Sequence, residues 1–142
     1  MTRFKVISRG KHLKAYLMIS GITLACIGVG LTFLPLVFKG ALGMDLSGKI
    51  NILNDYGAFG MLVLSIGVFS MVSTRKQELI DATAIMVPIF FLVLVIGRLI
   101  SGTLNGLPIR GLIMAGILEL SFGIAGILIC LPYLRRTTKE MS

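Results

Sequence analysis

The sequence predicts an all-α integral membrane protein, a four-transmembrane-helix bundle with the N-terminus and C-terminus both cytoplasmic. Three observations carry that expectation. The chain of 142 residues is 56% hydrophobic and 14% charged, which is more apolar than soluble domains of this size. So small a soluble protein cannot build a core that hides this much apolar surface, so lipid must be the solvent for much of it. Four apolar runs divide the chain, and the first, of ~24 residues, is long enough by itself for a hydrocarbon core of ~30 Å. Finally, the net charge of +8 is concentrated at the ends of those runs, where basic residues set topology.

The first run covers about 15–38, uncharged between Lys14 and Lys39. A cleaved signal peptide would have a shorter apolar stretch and a better cleavage site. Pro35 is expected to end or kink this helix. The second run covers about 56–72, and Ser47 is a candidate cap for a helix that starts near Gly48. Its first turns would present Asn51, Asn54 and Asp55 at the membrane surface. The third covers about 84–100, with Asp81 as a candidate cap and Pro88 in its early turns. It leaves through the turn-rich segment from Ser101 to Pro108. The fourth covers about 111–134, with Pro132 in its last turn and Arg135-Arg136 as the stop. All four belong to one domain, residues 1–142, with basic tails at 1–14 and 135–142.

Charge placement gives the orientation. Five Lys or Arg precede the first run (Arg3, Lys5, Arg9, Lys11 and Lys14), Arg75 and Lys76 separate the second from the third, and Arg135, Arg136 and Lys139 follow the fourth. The other two loops hold Lys39, Lys49 and Arg110. Ten against three puts both termini in the cytoplasm. The tails suit an anionic inner leaflet, and their position beside membrane spans argues against nucleic acid as the partner.

Several chemistries find no support. Cys26 and Cys130 differ in expected depth by roughly 10 Å, beyond disulfide reach. They read as small core residues. No set of metal ligands is grouped, His12 sits in the basic tail, and the glycines lie in apolar helices rather than in a phosphate loop. No cofactor is implied. Tyr16 and Tyr133, near the cytoplasmic ends, read as interfacial anchors.

The seventeen glycines call for a packing reason. Gly21, Ala25 and Gly28 share one face of the first helix. Gly57, Gly60 and Gly67 do so in the second, and Gly116, Gly123 and Gly126 in the fourth. Small residues at this spacing let helix backbones approach closely, within one chain or between copies in a homo-oligomer.

Arg98 and Glu119 are the ionisable residues inside the apolar runs. Glu119 lies on the 116-119-123-126 stripe, about 10 Å below the outer boundary, and Arg98 lies at similar depth on the preceding helix. A charge at a helix centre costs ~2.5–3.5 kcal/mol on insertion scales, and a mutual pair offsets much of that. Arg suits the task because its fork binds a carboxylate at two points. An Arg98–Glu119 pair is therefore expected, with Asn54, Asp55 and Asn105 closing the network and Ser101 on the Arg98 face. The same pair could simply fix helix register.

Three segments carry a resemblance. They are Asn54-Asp55-x3-Phe59-Gly60, then Gly97-Arg98-x2-Ser101-x3-Asn105-Gly106-x-Pro108, then Leu118-Glu119-Leu120. The chain resembles a family of small four-helix bacterial membrane proteins known as a domain of unknown function and loosely similar to DoxX-like proteins. Such proteins often have Asp where Asn105 stands and a basic residue where Tyr56 aligns. The resemblance implies the same fold, a polar site around Arg98 and Glu119, and residence in a bacterial inner membrane as a multi-pass protein. It implies no activity.

Function is read accordingly. The leading expectation is a non-enzymatic accessory or scaffold protein packing against a membrane partner. The alternative is a binder or carrier of a lipid or small amphiphile through an outward-facing polar cluster. A proton-coupled exporter ranks below both, since the first helix carries no acid, and an enzyme ranks last.

Overall fold

A computed structural model describes the backbone of residues 2–140, with side chains described over 10–134 except Gln77. Arg3, Lys5, Arg9, Arg135, Arg136 and Lys139, which supply much of the charge asymmetry, have side chains outside the described residues. Among the described residues five helices follow one another: α1 (Thr2–Phe33), α2 (Pro35–Ala41), α3 (Ile50–Ser73), α4 (Gln77–Asn105) and α5 (Arg110–Glu140). Four of them contain a segment long and apolar enough to cross a membrane: Gly10–Phe33, Ile50–Ser73, Glu78–Asn105 and Arg110–Leu134. Four alternating spans return the chain to the end where it began. The opposite end, where α2 lies, is called distal below.

The helix limits depart from the sequence expectation in instructive ways. Pro35 does more than kink α1. The helix ends at Phe33, Leu34 leaves helical geometry (φ −134°, ψ 45°), and Pro35 opens α2. Proline suits a first helical position because the N–H it lacks has no partner there anyway. Ser47 caps nothing. Its N–H donates to Asp45 Oδ1 (2.9 Å) in a local turn, and α3 starts three residues later. Asp81 lies a full turn inside α4, which begins at Gln77. At the other end, α5 runs past Pro132 to Glu140.

The bundle is built from two antiparallel pairs. In the first, α1 and α3 meet backbone to backbone. A Cβ on Gly28 would lie 2.5 Å from Leu64 N, and one on Gly67 would lie 2.6 Å from Ala25 N. Gly21 and Gly60 are equally closed, against Gly67 and against Thr32. Lipid gives helices no hydrophobic reason to associate, so close van der Waals contact along such a seam supplies the attraction. Gly57 makes no close approach there, because a side chain on it would meet open space. Two hydroxyls reinforce the seam: Ser70 Oγ donates to the Leu17 carbonyl (2.8 Å) and Thr32 Oγ1 to that of Gly57 (3.3 Å).

In the second pair, α4 and α5 meet through side chains. Gly123 accepts Leu92, and Gly126 accepts Pro88 together with the Tyr16 hydroxyl from α1. Gly116 makes only ordinary contact with the Arg98 stem. Tyr16 is therefore no interfacial anchor. It is 6% exposed and donates its hydroxyl to the Phe122 carbonyl (3.0 Å), which ties α1 to α5. Tyr133 is half-buried beside the same core.

The core between the pairs is Leu13, Leu17, Leu24, Val63, Val87 and Phe91, with Phe91 stacked on Phe122 at 5.0 Å. Cys130 belongs to this core, but Cys26 is exposed on the lipid-facing side of α1, so only one of the two cysteines is a core residue. Large apolar side chains such as Leu128, Met114, Leu99 and Phe33 are more than half exposed, which a bilayer explains and water does not.

Candidate functional site

The two helix pairs do not close on each other at the distal end. They leave a half-open cavity of about 450 Å³, within the range typical of small-ligand sites. Its floor is the buried trio Leu24, Val63 and Phe91. Its walls are Ile27 and Leu31 from α1, Phe59 from α3, Leu94 from α4, and Leu112 and Ala115 from α5. The polar groups at its edge are Lys39, Tyr56, Arg98, Ser101 and Glu119.

Arg98 and Glu119 meet across α4 and α5. Arg98 Nε donates to Glu119 Oε2 at 2.6 Å, and Nη2 donates to Oε1 at 2.7 Å. This is the two-point geometry of a guanidinium on a carboxylate. Glu119 is buried, whereas the Arg98 side chain remains 34% exposed. The match in depth follows from antiparallel pairing. Arg98 lies two turns before the end of α4 and Glu119 about as far into α5.

Three expected members of the network are elsewhere. Asn54 and Asp55 are exposed and do not line the cavity. Helical geometry gives the reason. Tyr56, Phe59 and Val63 face the cavity at i, i+3 and i+7, and at 100° per residue Asn54 is turned to the far side, while Asp55, one turn before Phe59, lies at the edge of that face and stays exposed. Asn105 is also exposed and reaches only its own helix, donating to Ser101 Oγ at 3.4 Å. Ser101 itself does line the cavity.

Lys39 and Tyr56 take the places of the missing residues. Lys39 is 8% exposed, and its ammonium sits 4.3 Å from the centre of the Tyr56 ring, a cation–π contact. Burial, and then the neighbouring Arg98 guanidinium, pull its pKa below the ordinary lysine value, with Glu119 opposing them. Lys39 reads in the sequence as a loop cation. The signal that could have found it is Pro35. A helix restarting there carries Lys39 one turn on, beside Phe38, whose ring packs on Gly30 and holds α2 back against α1. Gly111 helps from the other side, because it admits the Leu42 carbonyl where a side chain would collide.

Among the described residues no three His, Cys, Asp or Glu are grouped to hold a metal ion. The family model of a domain of unknown function, DUF4345, matches residues 12–130. The chain belongs to the DUF4345 family. The match runs from the first turns of the membrane-crossing part of α1 to Cys130 in α5, so it includes every residue that lines the cavity. No curated protein matches the chain. No solved structure matches it either.

Proposed function

We propose that this DUF4345 protein binds or carries a small amphiphile in its distal cavity, from a bacterial inner membrane with both termini in the cytoplasm. The observation that carries this reading is the cavity itself. It combines an apolar floor and walls with a polar edge of Lys39, Arg98 and Glu119, the division an amphiphile has between tail and head. An accessory subunit needs exposed contact faces but no internal space of this size. The lipid-facing side chains are accounted for by the bilayer, so the cavity favours the binder over the scaffold.

A direct test is to purify the protein in a mild detergent and measure co-purifying amphiphiles by native mass spectrometry. The expected result is one retained molecule per chain. Ala115→Phe, which fills the cavity from α5, should displace it while the helical content stays unchanged. Equal retention by wild type and Ala115→Phe would sink the reading. For orientation, a reporter after Ser142 should be active only in its cytoplasmic form.

A further inference from the structure

We propose that the cavity selects an amphiphile with an oxyanion head, a carboxylate or a phosphate monoester, and that Lys39 is the residue that reads it. This rests on the amphiphile-binding reading above and adds the charge class of the ligand.

The inference starts from how the charges at the cavity edge are used. Both oxygens of Glu119 are taken by Arg98, so that pair is internally neutral. Lys39 is left over. It is more than nine-tenths buried, it lines the cavity, and among the described residues its ammonium has no hydrogen-bond acceptor and no carboxylate partner. Its one contact of note is the Tyr56 ring at 4.3 Å. A cation–π contact offsets only part of the cost of holding an ammonium in a largely buried place without a counter-ion. Lysines at a membrane surface normally avoid this by extending the stem to water. Here α2 folds back on Gly30 and turns the side chain under instead.

Lys39, Arg98 and Glu119 sum to a single positive charge facing an apolar space. An oxyanion at the cavity edge would neutralise it and give the ammonium the acceptor it lacks. A neutral alcohol or quinone would supply no charge, and a cationic head would add to the excess. A divalent cation is disfavoured for the same reason, since the one carboxylate there is already engaged. The tail of the amphiphile would lie along Leu24, Val63 and Phe91.

The test uses the full chain in phosphatidylcholine nanodiscs at mildly alkaline pH. It is titrated separately with dodecanoate, dodecyl phosphate, dodecanol and dodecyltrimethylammonium, and bound probe is measured by mass spectrometry. One or both anions should be held about tenfold more tightly than dodecanol, the usual share of a hydrogen bond to a charged group. Preference for one anion over the other identifies the head as carboxylate or phosphate. Lys39→Met should abolish the preference and Lys39→Arg should keep it. Glu119→Gln leaves both cations without a counter-ion and should tighten anion binding, which serves as an independent arm if Lys39→Met fails to insert.

Dodecanol held as tightly as the anions, and lost in Ala115→Phe, would overturn the charge selection while leaving the cavity reading intact. Retention of no probe would overturn both. An anion preference that survives in Lys39→Met would remove Lys39 from the proposal.

Discussion

Replacing Glu119 by Gln keeps the shape of the side chain and removes its charge, which isolates what the Arg98–Glu119 pair contributes to folding. Two charge-assisted bonds of 2.6 and 2.7 Å are lost, and a neutral amide can restore at most one ordinary bond to the guanidinium. Removing one partner of a fully buried pair costs ~3–5 kcal/mol, whereas exposed pairs contribute ~0–1 kcal/mol. With 9% of the Glu119 side chain and 34% of the Arg98 side chain exposed, the pair lies nearer the buried limit. The loss should be ~2–3 kcal/mol, about a 30- to 150-fold shift in the unfolding equilibrium. Arg98→Met should cost less. A carboxyl stranded in apolar surroundings can take up a proton, but a guanidinium cannot shed one. The assay is reversible unfolding in mixed micelles, run as a double-mutant cycle with Arg98→Met, Glu119→Gln and the double variant. A coupling energy below ~0.5 kcal/mol, or a larger loss for Arg98→Met than for Glu119→Gln, would refute the reasoning.

Further outcomes follow from other parts of the fold. Gly28→Ala places a methyl 2.5 Å from Leu64 N in a backbone seam and should lose at least ~2 kcal/mol, the upper part of the range for core overpacking. Gly57→Ala meets open space and should instead gain ~0.5–1 kcal/mol from helix propensity. The same unfolding assay reads both. Lys39 has a folded-state pKa below the 10.5 of the unfolded chain, so between those two values the unfolded state binds more protons and stability rises with pH. Wild type should therefore gain on Lys39→Met as pH climbs toward 10.5, with the full penalty present below the folded-state pKa. A pH-independent difference would contradict this. Pro35→Ala removes the enforced break between α1 and α2 and should weaken anion retention about as much as Lys39→Met, because α2 is no longer held where it tucks Lys39 inward. Unchanged retention would show that Phe38 on Gly30 alone suffices.

The four spans were legible because apolar runs bounded by charge are the strongest pattern a membrane chain offers. The Arg98–Glu119 contact was legible for a simpler reason. Helix rise fixes depth, and two opposite charges at one depth on consecutive antiparallel helices have few other partners. What was not legible depended on rotation and on the loop. Asn54 sits at the right depth but on the wrong face and Asp55 at the edge of the right one, and only the packing of Tyr56, Phe59 and Val63 settles that. Tyr16 had the position of a headgroup anchor, and its burial comes from Gly126 leaving room for its hydroxyl. Lys39 was hidden by the expectation that the first span continues to Phe38, when the chain breaks at Leu34 and starts a helix of its own.

The unequal packing of the two pairs bears on the order of biosynthesis. The spans joined by the glycine seam, α1 and α3, are the first two made, and everything that closes their seam is encoded before Gln77. Their docking needs nothing from the second half of the chain. Translation proceeds from the N-terminus, so a finished hairpin can already stand in the bilayer when α4 and α5 arrive. Those later helices then lay a side-chain-packed wall against a fixed template. The chamber between them is the last part of the protein to come into existence, and its width is set by the half that has no backbone seam to constrain it.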